Sequence, residues 1–537
     1  MINSRLASSL KVKFLGIIPN LRDETGSLSP QQIVSLSALL TFKGKSIKDL
    51  LKESQEKGEN LEEKIIKIVQ KSSLRGHASI ATTPALCFTY EGSKFLDSAL
   101  TGIIFSSSLM SSGRRTKTSE DDIIFPDKIF SDEKAREIYE ATSKKIIRFF
   151  NSLLEKEIRK DEASKILQYG IYGTGIIQLP IESIVLLKRE YLKEKESMPE
   201  EVGILLGKIE NNLKSFGVDL LYASRVAAPR NVYSYPNIFK DSKKSNLVRE
   251  LRKKENLSEG SKIISIENLI PQELKNKLLD LENKRNEIFS SKERIKQDWP
   301  NLLAFQQEII RDYNLAFKIK VLSSVPWRVW GEKKRHRTCP QVIESVYFCI
   351  ERAAKRFENF KDQIQKKQIN KEIVKEIEEV FSIPPSIKQN QGLLEEYLSV
   401  ALSAFDSYQA LIRLGIKLRE AIFVIPRAVK IDILQEYDLY NLLAGYYPLR
   451  LCQTAEEEMR RNTKKEVAQL KELLSENGCG WLNKLIVPKC EIVGFCPEEK
   501  SCGNIEGRVG GYDEEFHQEM KQDLKKRFEE NLENLEK

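Results

Sequence analysis

Three nitrogen-rich side chains stand together in the second half of the chain, in the stretch KKRHRTCPQVIES (333–345). Arg335 and Arg337 flank His336, which is one of only 3 histidines in 537 residues. Two guanidinium groups this close can clamp a phosphate or a pyrophosphate, and either can stack on an aromatic ring. An exposed basic loop or a non-specific nucleic-acid contact is the alternative. The pattern indicates an anion site and does not by itself indicate a reaction.

The residues after this cluster predict a helix that positions it. Pro340 is typical of the first turn of a helix, and the unpaired N–H groups of a helix N-terminus favour anions. On a helix that starts there, Gln341 and Ser345 share one face at four-residue spacing. We therefore expect Ser345 to face the same pocket as the arginines.

The first half of the chain contains two short polar turns that could also bind ligands. His77 and Ser79, in the sequence GHAS, present an imidazole and a hydroxyl suited to hydrogen bonding with a flat heterocycle. Ser112, Gly113 and Arg114, in SSGRRT, combine a hydroxyl, backbone N–H groups and a guanidinium, as small anion sites do. An ordinary loop histidine and a surface turn remain as alternatives, because motifs this short recur often.

The composition describes a globular protein with a sizeable core. Hydrophobic residues make up 41% and charged residues 31% of a chain long enough for several domains. No apolar run is long enough to span a bilayer and the N-terminus lacks the pattern of a signal peptide, so we expect a cytoplasmic protein without membrane contact. The net charge of +9 is a small difference between 87 basic and 78 acidic residues, so it is weak evidence for a nucleic-acid partner. It is equally consistent with a smaller anionic ligand, which we expect in preference to nucleic acid.

The predicted helices and strands that carry these motifs indicate an α+β fold that occurs once in each half of the chain. Each half of the chain offers strand-like segments, a polar motif and then long helices, as a faint internal repeat. We expect each half to be a small, mainly antiparallel sheet with long helices, and the two to be joined by a charged helical connector. The predicted segments are 1–236, the connector 237–298, 299–475, a cysteine-containing segment 476–510 and a charged C-terminal helix 511–537.

Cysteines near the C-terminus raise the separate question of a metal. The chain has 8 cysteines and no secretory signal, which favours free thiols or metal ligands over disulfides. Four thiolates could close a structural zinc site, with Cys452 as a possible fifth participant, but the usual CxxC pairs are absent. Buried free cysteines are the other interpretation. The four candidate ligands are Cys479, Cys490, Cys496 and Cys502.

The second half resembles the flavin-dependent thymidylate synthases, the ThyX family. Its Arg-His-Arg followed by seven residues and a serine matches the signature of that family at Arg335, His336, Arg337 and Ser345. The later stretches VIPRAVK and YYPLRLCQ resemble the apolar-Pro step and the Leu-Arg pair of the family. In the family, the arginine of that pair lies against the pyrimidine ring and helps to ionise it. Arg450 occupies the matching position.

The first half resembles the same family through different residues. His77 and Ser79 match the turn that in the family approaches the flavin. Ser112, Gly113 and Arg114 match the end of the signature, which in the family holds the phosphate of dUMP. The resemblance thus assigns to the first half the parts of the site that the second half lacks.

The two halves have lost complementary parts of the pattern. In the first half the Arg-His-Arg positions are Gly102, Ile103 and Ile104, whereas in the second half Val346 and Tyr347 follow the serine and the phosphate arginine is missing. Family members are homotetramers with active sites between subunits. The resemblance therefore implies a tandem protein with an active site shared between its halves, which as a homodimer would imitate the tetramer.

Several positions depart from the family pattern. Thr82 and Thr83 stand where the family has Glu-His, and the arginine expected before the apolar-Pro step is Ile422 in the second half and Ser164 in the first. These departures count against full activity. Arg419 or Arg427 is a nearby substitute, although neither is in register.

The resemblance implies a reaction and two alternatives to it. FAD reduced by NADPH would carry hydride to a methylene received from methylenetetrahydrofolate, and dUMP would become dTMP. A catalytically degenerate flavin- or nucleotide-binding protein is one alternative, and a basic nucleic-acid-binding protein with a zinc module is the other. The flavin would be held by His77, Ser79, Arg335, His336 and Arg337. The substrate would be held by Ser112, Gly113, Arg114, Arg335, Ser345 and Arg450, of which Arg450 is the catalytic candidate.

Overall fold

The structure, a computed structural model, describes residues 5–23, 26–112, 118–228, 233, 235–241, 246–257 and 260–536. The chain forms two compact units. Unit 1 comprises Met1–Asn246, Pro326–Arg335 and Ile343–Ile431, and unit 2 comprises Leu247–Val325, His336–Val342 and Asp432–Lys537. None of the helices in these ranges has both the length and the apolar character needed to cross a membrane.

Unit 1 contains a four-stranded antiparallel sheet in the order β2-β5-β8-β6. The strands of the first half are β1 (Arg5–Leu6), β2 (Lys11–Ile18), β3 (Leu21–Asp23), β4 (Gly26–Leu28), β5 (Ala85–Ser93), β6 (Ser107–Met110), β7 (Ile124–Phe125) and β8 (Tyr172–Pro180). Strand β5 has a partner on each side, and Phe88 and Tyr90 on it are buried. Burial of alternate residues on a paired strand is what holds its register.

A second four-stranded sheet, with most of its residues in unit 2, has the order β9-β10-β12-β11. Its strands are β9 (Gly260–Asn268), β10 (Phe317–Pro326), β11 (Gln341–Ile343) and β12 (Lys430–Asp438). Strands β9 and β10 are antiparallel. Taken along the chain, both sheets place their first, second, fourth and third strands side by side.

Helices form most of the remaining structure. The first half has α1 (Pro30–Lys43), α2 (Ile47–Glu56), α3 (Leu61–Arg75), α4 (Ser79–Thr82), α5 (Lys94–Leu100), α6 (Asp127–Ser131), α7 (Glu133–Glu155), α8 (Lys160–Ala163), α9 (Ile181–Lys193), α10 (Glu200–Glu210) and α11 (Asp219–Ala227). The rest are α12 (Leu247–Glu255), α13 (Gln272–Ile288), α14 (Lys292–Tyr313), α15 (Trp327–Lys333), α16 (Val346–Asn359), α17 (Lys361–Gln365), α18 (Lys371–Glu378), α19 (Pro385–Lys388), α20 (Gln391–Arg413), α21 (Leu418–Ala421), α22 (Leu439–Leu443), α23 (Tyr446–Leu451), α24 (Glu457–Glu476), α25 (Cys490–Val493) and α26 (Glu514–Glu536).

The long helices α7 and α20 pack against each other within unit 1. Each starts at a polar cap: Asp132 accepts a hydrogen bond from the third residue of α7, and Asn390 does the same for α20. Thr142 and Ser407 hydrogen-bond through their hydroxyl groups at 2.7 Å in the buried contact between them. Unit 1 is therefore built from elements of both halves of the sequence.

The predicted α+β class is confirmed, but the helix predicted from Pro340 is wrong. Residues Gln341–Ile343 form β11, and α16 begins only at Val346. The N–H of Glu436 donates to the carbonyl of Pro340 at 3.0 Å, so the backbone here pairs with strand β12 instead of closing helical turns. The segment predicted as a helical connector, 237–298, includes strand β9.

A buried carboxyl group attaches α10 to β5. Glu201 is 1% exposed and accepts hydrogen bonds from the N–H of Ser93, at 2.8 Å, and from the hydroxyl of Ser93. Burial raises the pKa of Glu201 to about 7, against the opposing effect of these hydrogen bonds. The carboxyl group therefore titrates near neutral pH in the folded protein.

Replacement of Glu201 by Gln should flatten the pH dependence of stability. The folded state binds the proton more tightly than the unfolded chain, so the stabilisation is fully present below about pH 4.5 and is lost as pH rises through about 7. The shift corresponds to roughly 3 kcal/mol. Urea unfolding between pH 5 and pH 8 should show the wild type losing this much more stability than Glu201→Gln. Glu91→Gln, at a half-exposed position on β5, should behave like the wild type, and equal slopes for all three proteins would contradict the assignment.

Candidate functional site

The Arg-His-Arg cluster lies on the loop between α15 and β11, where the chain passes from unit 1 to unit 2. Arg335 is the last residue of its segment of unit 1, and His336 and Arg337 belong to unit 2. The side chains of both arginines are exposed, and His336 is half-buried. The N–H of Arg335 donates to the carbonyl of Glu332 at 3.2 Å, so the cluster begins as the last turn of α15 ends.

In unit 2, His336 and Arg450 form a direct hydrogen bond. The Nε of Arg450 donates to Nε2 of His336 at 2.9 Å, although the two residues are 114 positions apart. Because Nε2 accepts, this contact fits a neutral imidazole that carries its proton on Nδ1. The structure thus brings together two of the motifs that the sequence singled out, the Arg-His-Arg cluster and the Leu-Arg pair.

A group of tyrosines supports this pair. The ring of His336 meets Tyr446 edge-on at 4.9 Å, and Tyr446 stacks on Tyr437 at 4.7 Å. Tyr446 stands one helical turn before Arg450 on α23, so one face of the helix carries both contacts. Burial raises the pKa of Tyr437 and of Tyr447 well above the usual range, which keeps both phenols neutral. Buried, uncharged tyrosine side chains therefore support the pair of His336 and Arg450.

Asn441 holds the residues that follow the cluster. Its side-chain carbonyl accepts from the hydroxyl of Thr338 at 3.1 Å and from the thiol of Cys339 at 3.2 Å. Its amide donates to the carboxylate of Asp438 at 2.7 Å, and Asn441 is fully buried. The loop position is therefore set by side-chain hydrogen bonds, and the Cys339 thiol acts as a donor in them.

In unit 1, a buried lysine holds the turn that begins the predicted phosphate site. Lys94 donates to the carbonyl and the hydroxyl of Ser111 and forms a 3.2 Å ion pair with Asp97. Asp97 also accepts from the hydroxyl of Tyr90. Ser112 follows directly, whereas Gly113 and Arg114 lie outside the described residues.

A second buried lysine brings the end of α15 to the same aspartate. Lys334 is 2% exposed, donates to the carbonyl of Asp97 and lies over the ring of Trp330 at 4.6 Å. Burial lowers the pKa of Lys334 well below its usual range, Asp97 opposes this shift and Arg335 adds to it. Burial also lowers the pKa of Lys94, and Asp97 opposes this shift too. Asp97 therefore pairs with Lys94 through its carboxylate and holds Lys334 through its backbone carbonyl, while burial disfavours the charged form of both lysines.

His77 and Ser79 are both exposed in unit 1. Gly76 ends α3 with φ of +78°, a left-handed conformation that favours glycine, and places His77 just beyond the helix. Ser79 begins α4, and its carbonyl accepts from the hydroxyl of Thr83 at 2.8 Å. The two predicted flavin contacts therefore lie on an accessible turn.

Ser345 does not face the solvent. It is fully buried, and its hydroxyl donates to the carbonyl of Lys240 at 2.6 Å. The expectation that a helical face carries Ser345 towards the arginines fails, because the helix starts one residue later. In this position the serine attaches the start of α16 to the segment that contains Lys240.

The arginines near the apolar-Pro step form hydrogen bonds within unit 1. Arg427 is 1% exposed, donates from Nε to the carbonyl of Gln168 at 3.0 Å and lies over the ring of Tyr169 at 4.9 Å. Burial lowers its pKa to about 10. Arg419 donates to the carbonyl of Lys195 at 2.8 Å. Both guanidinium groups thus hold backbone carbonyls of the first half.

The predicted cysteine set does not form a metal site as placed. Within the part of the chain that the structure describes, no group of three or more His, Cys, Asp or Glu side chains could hold a metal ion. Cys479 accepts from the side chain of Asn268 at 3.2 Å. Cys490, Cys496 and Cys502 instead line a cavity together with Cys452.

Sequence reasoning missed several residues of these sites. The spacing of Lys94 and Asp97, three apart on one helix, and of Tyr446 and Arg450, four apart, was a usable signal. No sequence signal indicated the role of Asn441, because its partners Thr338 and Cys339 are about 100 positions away and only folding brings them near.

Loss of the Asn441 side chain should destabilise unit 2. Asn441→Ala removes the acceptor of the Thr338 hydroxyl and of the buried Cys339 thiol, and one of the donors to Asp438, at a cost of about 1–3 kcal/mol. Urea unfolding should show this loss. Asn477→Ala, which removes an exposed amide that bonds the carbonyl of Leu473, is the matched control and should cost less than about 0.5 kcal/mol. Equal effects of the two changes would show that the network does not support the loop.

Part of the chain is similar in sequence to known proteins. Residues 308–474 match the model of the thymidylate synthase complementing protein. A flavin-dependent thymidylate synthase of Pyrococcus furiosus is 33% identical over 126 residues, 23% of this chain and 49% of the relative. That of Pyrococcus abyssi is 32% identical over 127 residues, again 23% of this chain, and 50% of the relative. The chain thus spans about half the length of the curated relatives it matches.

Solved structures resemble the chain only weakly. The UMP/dUMP methylase PolB from Streptomyces cacaoi, bound with 5-Br dUMP, is 11% identical with a TM-score of 0.31, and the match covers 42% of this chain and 99% of that one. A score at this level does not establish a shared fold. The sequence match is the stronger finding: residues 308–474, which contain His336 and Arg450, match the model of the thymidylate synthase complementing protein, and the resemblance of part of the chain to the flavin-dependent thymidylate synthases is confirmed.

Proposed function

We propose that the protein is a FAD-dependent thymidylate synthase that converts dUMP to dTMP with methylenetetrahydrofolate and NADPH. The observation that carries this proposal is the hydrogen bond between His336 and Arg450, which joins two family motifs inside the matched segment. The buried tyrosines and the asparagine hydrogen bonds hold this pair and its loop in one position. A histidine and an arginine that only faced the solvent would gain nothing from such support.

The residues present fit an anionic flavin nucleotide and an anionic substrate. The exposed guanidinium groups of Arg335 and Arg337 suit phosphate oxygens, and the exposed His77 suits a heterocycle edge. When bound, the flavin supplies the hydride chemistry. Arg450 is oriented by His336 and stabilises negative charge that develops on the pyrimidine, as a preorganised donor does. His336 thereby acts as a positioning residue for Arg450.

We further propose that the chain is a tandem duplication with a site shared between its halves. The identical strand order of the two sheets supports the duplication. Unit 1 contains both the Ser111–Ser112 turn of the first half and Arg335 of the second, which supports a phosphate site with contributions from each. In this proposal Ser112, Gly113, Arg114 and Arg335 bind the phosphate. A homodimer would then imitate the four-subunit assembly.

A catalytically degenerate flavin- or nucleotide-binding protein is the second candidate. Ile422 and Ser164, which replace the expected arginine in the two halves, are both fully buried, so each position is part of the packed interior of unit 1. Such a protein would bind flavin and dUMP without turnover.

The full chain should bind flavin and form dTMP, measured as product from dUMP, methylenetetrahydrofolate and NADPH. Arg450→Ala should lower kcat by about 10²–10³-fold, because it removes one electrostatic donor to the reacting ring. Arg413→Ala, at an exposed position that ends α20, is the control and should leave kcat unchanged. Flavin binding without turnover would favour the degenerate protein, and nucleic-acid binding without flavin would exclude both.

Substitutions in the two halves should test the shared phosphate site. Arg114→Ala and Arg335→Ala should each weaken dUMP binding by about tenfold or more, since a hydrogen bond to a charged group contributes about 1.5–3 kcal/mol. Ser345→Ala should change the affinity little, because its hydroxyl already donates to Lys240. Calorimetric titration gives all three affinities. If only one arginine mattered, the halves would not share the pocket.

A further inference from the structure

Four cysteines of unit 2 line one cavity that the proposed reaction does not use. They are Cys452, Cys490, Cys496 and Cys502, and the cavity has a volume of about 180 Å³. Three of these cysteines are buried and Cys502 is exposed at the rim; none of them forms a disulfide. The thiols therefore converge on a common space from four separate positions along the chain.

The two carboxylates that line the cavity have partners of their own. Glu491 is paired with Arg508 at 3.1 Å, and Glu498 with Lys489. The carboxylates are thus neutralised by cations, and the sulfur atoms are the ligands that remain. Soft thiolate ligands select zinc, copper or iron–sulfur clusters over hard cations.

The volume of the cavity separates these possibilities. A single ion draws its ligands to within about 2.3 Å of one point, as in tetrahedral zinc sites. No group of three or more ligating side chains in the described residues is arranged to hold one ion, yet these four thiols border a cavity. That cavity is more than ten times the space of about 10–15 Å³ that one water needs. The arrangement suits a ligand with several metal atoms.

The surroundings of the thiols also suit a cluster. A four-iron cluster with four thiolates is anionic in its ordinary states, and Lys464 and Lys500 line the same cavity in addition to the Lys489 that pairs with Glu498. The side-chain amide of Asn504 donates to Sγ of Cys490 at 3.8 Å. Hydrogen bonds to ligating sulfurs are one of the means by which proteins tune such clusters.

The segment that carries Cys496 and Cys502 has little regular structure of its own. Between α25 and α26 it is anchored by the hydroxyl of Tyr512, which accepts from the N–H of Cys496 at 3.0 Å, and by Phe495 against Trp299 at 5.4 Å. A bound metal group commonly stabilises a segment of this kind, because its binding energy adds to the folding energy.

We propose that Cys452, Cys490, Cys496 and Cys502 hold a four-iron, four-sulfide cluster in unit 2. The site differs from the set expected from the sequence because Cys452 replaces Cys479. It does not depend on the thymidylate synthase activity, since it uses none of the residues assigned to that reaction.

The test is purification of the full chain without oxygen, followed by analysis of iron, zinc and acid-labile sulfide. We expect about four irons and about four sulfides per chain, and a paramagnetic resonance signal after reduction by dithionite. Fully reduced flavin gives no such signal, so the cluster is detected whether or not flavin is bound.

Single substitutions locate the ligands. Cys490→Ser and Cys502→Ser should each lose iron, and because Cys502 is exposed its replacement leaves the core intact, which circular dichroism would verify. Cys479→Ser and Cys87→Ser, outside the cavity, should keep the full iron content. About one zinc per chain without iron, no metal at all after reconstitution with iron and sulfide, or full iron content in Cys502→Ser would each overturn the proposal.

Discussion

The hydrogen bond from Arg450 to His336 is the contact around which the matched segment is organised. It closes 114 residues of chain, and such a long closure needs support from many other contacts to overcome the lost conformational entropy. The stacked tyrosines below the histidine and the Asn441 network beside it provide that support. An arginine donor held in this way keeps one orientation, as a group must if it is to stabilise charge on a substrate without reorganisation.

Unit 1 depends on a different constraint, the presence of two buried lysines at one aspartate. Lys94 forms an ion pair with the carboxylate of Asp97, and Lys334 donates to the backbone carbonyl of the same residue. Both lysines are almost fully buried, and burial lowers the pKa of each, because a charge removed from water is unfavourable unless it is well paired. Groups whose pKa is shifted in this way are common at functional sites.

The sequence singled out several residues of the candidate site but did not predict how the backbone positions them. Arg335, His336 and Arg450 were found because their residue types are scarce and their spacing is characteristic. The orientation of Ser345 was not predictable, because a strand replaced the expected helix through pairing with β12, a segment almost 100 residues further along. Likewise Cys479 and Cys452 are both plausible ligands in sequence, and only the position of α23 decides which one borders the cavity.

By itself the sequence determined the α+β class and the resemblance of residues 308–474 to the thymidylate synthase complementing protein. These follow from local periodicity and from short motifs, which depend on neighbours a few positions apart. Only the tertiary structure decided that elements of both halves form unit 1, that His336 is bonded to Arg450, and that four cysteines surround one cavity. The physical reason is that these contacts join residues tens to hundreds of positions apart, and pairing at such separations is selected by the burial and packing of the whole chain.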